Sequence, residues 1–142
     1  MSGKLVRDAA IGRQISIFLD DRPGSLAEVC KMLSDRGVNI YALSLAEGVG
    51  HGYVRMLVDK PDEALRLLQE AEELTMEREV LLVDLVNVTG ALGMLTGRLG
   101  EAGINIEYAY CAGGSHVDCG AVVIRVNQTE KALKLLQEWR AD

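Results

Sequence analysis

The sequence predicts an α+β fold in which one small module is used twice, each copy an antiparallel sheet with its helices on one face, the two copies side by side. Three observations predict this. Residues 21–40 (DRPGSLAEVCKMLSDRGVNI) match residues 87–106 (NVTGALGMLTGRLGEAGINI) at an offset of 66, keeping Gly24/Gly90, Leu26/Leu92, Leu33/Leu99, Gly37/Gly103, Asn39/Asn105 and Ile40/Ile106 in phase. The match resumes at an offset of 68, with Gly52 on Gly120, Val54 on Val122 and Leu68 on Leu136. In both copies the hydrophobic period switches between 2 and 3.6 in the same order.

The elements follow in turn. Arg13–Asp20 alternates, with Ile15, Ile17 and Leu19 on one side, and reads as a strand. Pro23-Gly24 breaks it. Leu26, Val29, Cys30 and Leu33 recur at helical spacing, and Gly37 stops that helix. Val38–Leu45 and Gly52–Asp59 alternate around the glycine-rich turn EGVGHG. Pro61 opens a second helix carrying Ala64, Leu65, Leu68 and Ala71 on one face. The second copy gives strand Leu81–Val86, helix Ala91–Ala102, strands Ile104–Cys111 and Gly120–Val126, and helix Thr129–Trp139. Each copy is β-α-β-β-α, one strand short of the split βαβ, ferredoxin-like βαββαβ unit.

The missing strand decides the boundaries. Only three residues follow Trp139, so the second copy has no downstream fourth strand. Lys4–Ala10 is expected to form a hairpin with Arg13–Asp20 across Gly12, and Leu74–Arg78 one with Leu81–Val86, so that each copy takes its fourth strand from upstream. The units are then residues 4–73 and 74–142. Keeping Leu74–Arg78 with the first copy would leave the second sheet short.

Composition restricts the function. A chain of 142 residues buries roughly 70% of its unfolded surface, enough for a core without staples. With 15 Lys+Arg against 21 Asp+Glu, the net charge of −6 disfavours a nucleic-acid partner, as do aromatics at 4%. The apolar stretches are too short for a membrane span and the N-terminus has no export signal. Three cysteines without a CxxC pair favour reduced thiols and a cytoplasmic location. Cys111, His116 and Cys119 form C-x4-H-x2-C near a hairpin, with His51 on the equivalent hairpin, but three ligands without a CxxC fall short of a zinc site, and no metal or other cofactor is expected. Gly93, Gly97 and Gly100 in one helix each cost about 1 kcal/mol against Ala.

The candidate site is the loop between the first strand and first helix of each copy. Asp21, Arg22, Pro23, Gly24, Ser25 and Leu26 deliver the chain onto a helix N-terminus, whose free N–H groups and dipole favour an anion such as an α-carboxylate. Asp21 suits an α-ammonium or caps the turn, and Asn39 offers both donor and acceptor. This stretch, with its D-x-P-G-x-L loop, helix and G-x-N-I strand opening, resembles the ACT domain, a small regulatory module of amino-acid metabolism. The first copy carries the whole pattern in Asp21, Pro23, Gly24, Leu26, Gly37, Asn39 and Ile40. The second has Asn87, Val88 and Thr89 where the Asp, Arg and Pro stand, and keeps Gly90, Leu92, Gly103, Asn105 and Ile106. The resemblance covers residues 13–140 and implies a tandem ACT protein that binds an amino acid or similar small ligand between ACT repeats.

In a split βαβ unit the loop and the Asn-Ile pair lie at opposite ends, so one copy cannot use both for one ligand. Two composite sites are expected by two-fold pairing. One joins Asp21–Leu26 to Asn105 and Ile106. The other joins the loop Asn87, Val88, Thr89, Gly90, Ala91 and Leu92 to Asn39 and Ile40. Phe18, Leu43, Leu45, Tyr53, Leu57 and Val123 are expected on the sheet faces away from the helices, an apolar patch calling for a homodimer. The function expected is a non-enzymatic sensor that reports a bound amino acid allosterically. The alternatives are a regulatory subunit for a partner enzyme of amino-acid metabolism and a small acylphosphatase-type enzyme using Arg22. No Ser/His/Asp set, H-E-x-x-H or P-loop supports catalysis.

Overall fold

The computed structural model describes residues 5–48, 50–112 and 119–140. Six strands and four helices appear in the order β1 (Val6–Asp20), α1 (Ser25–Ser34), β2 (Ile40–Glu47), β3 (His51–Val58), α2 (Pro61–Glu70), β4 (Thr75–Val86), α3 (Ala91–Glu101), β5 (Ile106–Ala112), β6 (Cys119–Val126) and α4 (Thr129–Glu138). The chain divides into two units: one is Arg13–Arg78, and the other joins the segment ending at Gly12 to the segment beginning at Glu79.

In Arg13–Arg78 the strand order is β2-β3-β1-β4, the ferredoxin-like arrangement. Ile15 pairs with Met56 and Ile17 with Val54 in antiparallel register, which puts all four on one face. That face meets Val29 and Leu33 of α1 and Ala64, Leu67 and Leu68 of α2 in a single core. Burying each large aliphatic side chain contributes about 1.5–3 kcal/mol, so the helices are held by packing rather than propensity. Pro61 starts α2, and the chain leaves α2 through Glu72 at φ 60, a left-handed exit taken here without glycine.

The other unit orders its strands β1-β4-β6-β5. Leu81 pairs with Ile124 and Val83 with Val122, and their shared face packs on Ala91, Leu95, Leu99, Ala132 and Leu136. Val6 and Ala9 of β1 join the same core. The start of this fourth strand is tied in twice. The Val86 N–H donates to the Leu5 carbonyl (2.8 Å), and Val6 bridges Arg140 in parallel, where the Arg140 guanidinium donates to the Arg7 carbonyl (3.1 Å).

Two expectations are corrected here. The hairpin across Gly12 does not form, because β1 is one unbroken strand, and neither does the hairpin of Leu74–Arg78 with Leu81–Val86, because Thr75–Val86 is also one strand; a Cβ on Gly12 would lie 2.8 Å from Leu82 Cδ1, so this glycine makes room rather than a turn. The boundaries consequently fall at Gly12/Arg13 and Arg78/Glu79, not at 73/74. Lys4 lies outside the described residues.

The apolar patch is also differently composed. Register shifts between Ile40 and Ala42, a bulge that turns the following side chains over. Leu43 therefore pairs with Met56 and Leu45 with Val54, on the helix side of the sheet. Phe18 pairs with Tyr53 on the opposite face, and Leu57 and Val123 are 1% and 2% exposed, already covered within the chain. Among the described residues, no helix is long and apolar enough to cross a membrane.

Candidate functional site

The two loops share one backbone. Gly24 has φ 87 and ψ −9, and Gly90 has φ 87 and ψ −7, a left-handed conformation that glycine adopts without a Cβ penalty. Their main-chain hydrogen bonds correspond. Arg22 N–H donates to the Asp20 carbonyl (2.9 Å) as Val88 N–H does to that of Val86 (3.0 Å), and Glu28 N–H to that of Gly24 (3.0 Å) as Met94 N–H does to that of Gly90 (3.0 Å). No side chain caps either helix, so first-turn N–H groups of α1 and α3 are left to face the loop.

Each loop walls a cleft within its own unit. The first, about 380 Å³, is lined by Asp21, Arg22, Gly24, Ser25 and Leu26 of the predicted loop, with Leu19, Asp20, Ala27, Leu45, Ala46, Glu47, His51 and Gly52. The second, about 360 Å³, is lined by Asn87, Val88, Ala91 and Leu92 with Leu85, Val86, Cys111, Ala112, Gly120 and Val122. Both volumes lie in the range of small-ligand pockets. Pro23, Thr89 and Gly90 shape the loops without lining the clefts.

Leu45–Glu47, His51 and Gly52, and in the other unit Cys111, Ala112 and Gly120, are the hairpin-side lining residues that sequence reasoning missed. They enter through cross-strand register. Asp20 pairs with His51 and Glu47 with Gly52, which carries the β2–β3 hairpin to the mouth of the loop. The signal was present in the matched glycines of the repeat. A Cβ on Gly52 would meet Leu45 Cδ1 at 3.4 Å, so its absence keeps the cleft floor open.

Asn39, Ile40, Asn105 and Ile106 line neither cleft. Ile40 pairs with Val58, at the far end of β3 from His51, roughly 23 Å along an eight-residue strand. The main chain there is clamped: Asn39 N–H donates to Asp59 Oδ1 (2.9 Å) and Asn105 N–H to Asn127 Oδ1 (3.0 Å). The Asn39 and Asn105 side chains remain exposed.

The charged groups of the first cleft are unequally engaged. Arg22 donates twice to the Glu28 carboxylate (3.1 and 2.8 Å). Those hydrogen bonds hold the Glu28 carboxyl below its ordinary value and raise the guanidinium above its own. The Ser25 hydroxyl is spent on the Asp20 carbonyl (2.8 Å). Asp21 has no hydrogen-bond or ion-pair partner among the described residues. An arginine held by its own helix is poorly placed to grip a phosphoryl group, which weighs against the acylphosphatase reading. Cys111 is free and exposed; His116 lies outside the described residues, as does the side chain of Cys119.

Comparison with known proteins agrees with this architecture. The crystal structure of protein BT0572 from Bacteroides thetaiotaomicron is 33% identical, with a TM-score of 0.84, over 92% of this chain and 89% of that one. The ligand-free regulatory subunit of aspartate kinase from Thermus thermophilus shares the fold at 22% identity and a TM-score of 0.67, covering 94% of this chain and 98% of that one. The corresponding subunit from Thermus flavus gives 22% and 0.68, over 96% and 99%. No curated protein matches the sequence. The pattern of the ACT domain pair matches residues 10–140, nearly the whole length, and the chain belongs to the family of ACT domain pairs.

Proposed function

We propose that the protein is a non-enzymatic regulatory sensor that binds an amino acid or a similar zwitterion in the loop clefts. The observation that carries this reading is the repetition of one cleft, with the same uncapped helix N-terminus and the same left-handed glycine, in both units. Unsatisfied N–H groups and the helix dipole favour the α-carboxylate, and the unpaired Asp21 suits the α-ammonium. Asn39–Ile40 and Asn105–Ile106 stand too far along their own sheets to touch the ligand of their own loop. They complete a site only when another copy of the module presents them, as in a homodimer. Ligand occupancy then biases an association that a partner reads. Free Cys30 and Cys111 are consistent with a reducing, cytoplasmic setting. No cofactor enters this reading.

The second reading, a regulatory subunit bound to an enzyme of amino-acid metabolism, is favoured by the apolar side chains the chain leaves open. Tyr41, Leu45, Val88 and Leu92 are between 47% and 54% exposed. Co-purification of an enzyme with the tagged protein from its native cell would favour it over the free sensor.

A thermal-shift screen against the twenty amino acids tests the sensor. A ligand at 100 times its Kd adds about 2.7 kcal/mol to stability. Asp21→Ala or Asn105→Ala is expected to abolish the shift produced in the first site, and Asn39→Ala to weaken it less. A flat response to all twenty would refute the reading.

A further inference from the structure

The two clefts have the same backbone and nearly the same volume, but not the same chemistry. Position for position, Asp20, Asp21, Arg22 and Ser25 of the first become Val86, Asn87, Val88 and Ala91 in the second. All four changes remove a charge or a hydroxyl. Among its described lining residues the second cleft holds no ionisable side chain except the Cys111 thiol, and its single polar amide is Asn87. Val88 and Leu92 stand at its mouth 49% and 47% exposed, an unusual outlay of large apolar surface for positions that a helix start does not require to be apolar. The uncapped amides of α3 remain as the one anion-favouring element. The first cleft is the opposite case: Asp20, Asp21 and Glu47 line it, and its one arginine is already paired with Glu28.

We propose that the two clefts are not interchangeable, and that the Asn87–Leu92 cleft is the one that takes an amino acid with an aliphatic side chain, its selectivity set by Val88 and Leu92. This rests on the amino-acid reading above and deepens it. The carboxylate meets the α3 amides, and the aliphatic group displaces water from the surfaces of Val88, Leu92 and Val122. A charged ligand side chain would be desolvated there without a described counter-charge, so both lysine and aspartate are disfavoured. Apolar complementarity alone separates such ligands modestly by size but strongly by charge.

The test is isothermal titration of the full chain with valine, leucine, isoleucine, lysine and aspartate. Four proteins are compared: wild type, Leu92→Asp, Leu92→Met and the remote surface variant Leu74→Asp, with circular dichroism and denaturant midpoints confirming the fold of each. At least one aliphatic amino acid is expected to bind in preference to lysine and aspartate. Leu92→Asp should weaken it by about tenfold or more, through lost apolar contact and a new like charge near the carboxylate. Leu92→Met should hold affinity within about threefold, since volume and apolarity are kept. Leu74→Asp should match wild type. If an amino acid binds but Leu92→Asp leaves its affinity unchanged, the assignment of this cleft is overturned while the sensor reading stands. Preferred binding of lysine or aspartate that is lost in Leu92→Asp overturns the selectivity. If none of the five binds, the inference falls; if the other fifteen also fail in the screen, the sensor reading falls with it.

Discussion

Replacing Gly24 by alanine isolates the conformational requirement of the loop from its packing. The residue sits at φ 87, and a Cβ built there meets nothing within 4 Å, so a methyl group adds strain but no clash. The left-handed conformation costs an L-residue about 1–2 kcal/mol. Alanine also narrows the unfolded ensemble, which offsets a few tenths of a kcal/mol of that cost. The expected loss is thus about 1 kcal/mol, a fall of roughly 3 °C in Tm for a chain of this size. Gly90 has the same φ and the same open surroundings, so Gly90→Ala should lose the same amount although its neighbours differ in sequence. Gly24→Asn should recover part of the loss, because asparagine tolerates this region better than alanine. Urea denaturation followed by circular dichroism measures all three. A cost near zero in Gly24→Ala would mean that the loop relaxes to negative φ. A cost above about 3 kcal/mol would mean that the methyl meets structure. Either result refutes the account of the loop as a glycine-determined cradle with an open mouth.

The remaining expectations concern the core, a helix exit, charge and the loops. Leu68 and Leu136 are both 0% exposed at matched positions, and truncation of either to alanine should cost about 2–5 kcal/mol in denaturant titrations. Glu72→Gly should raise stability by up to about 1 kcal/mol by relieving a left-handed residue at φ 60, read as a higher urea midpoint. Glu28 and Glu63 are held below the ordinary value of 4.5 by hydrogen bonds from Arg22 and Arg66. Their contribution is present above that value and is lost as pH falls through their lowered values, so the denaturation midpoint of Glu28→Gln should fall less with acid than that of wild type. Both pairs are exposed, and the difference should shrink in 1 M salt. Finally, grafting the first loop onto the second (Asn87→Asp, Val88→Arg, Thr89→Pro, Ala91→Ser) should change stability by no more than about 1 kcal/mol, because the backbone is shared. A graft that unfolds the chain would show that the loops are not equivalent.

What could be read in advance was local and repeated. The paired glycines announced their own geometry: Gly24 and Gly90 share φ 87, and Gly37 and Gly103 share φ 75. Helix faces followed from spacing, since Val29 and Leu33, or Ala64 and Leu68, cannot be buried on any other period. What could not be read depended on partners distant in the chain. Gly12 carries the local signature of a turn, and only the position of Leu82, seventy residues away, shows that it serves to accommodate a side chain. The bulge after Ile40 is hidden for a different reason. Tyr41, Leu43 and Leu45 alternate regularly on paper, and a one-residue slip moves such a set to the other face without disturbing the pattern.

The same distinction explains why half of each cleft was foreseen and half was not. The loop half is written in contiguous residues, whereas the hairpin half is brought in by the pairing of Asp20 with His51 and of Glu47 with Gly52. Conformation and chemistry are also carried by separate positions. Glycine fixes the path at 24 and 90, while the neighbours at 20–22 and 86–88 change from charged to mostly apolar without altering the hydrogen bonds of the turn. A duplicated module built this way can change the side chains that line one cleft and keep its main-chain path, because the left-handed glycine and the main-chain hydrogen bonds of the turn are common to both loops. The charge difference between the described linings of the two clefts is therefore one that the shared main-chain fold does not require.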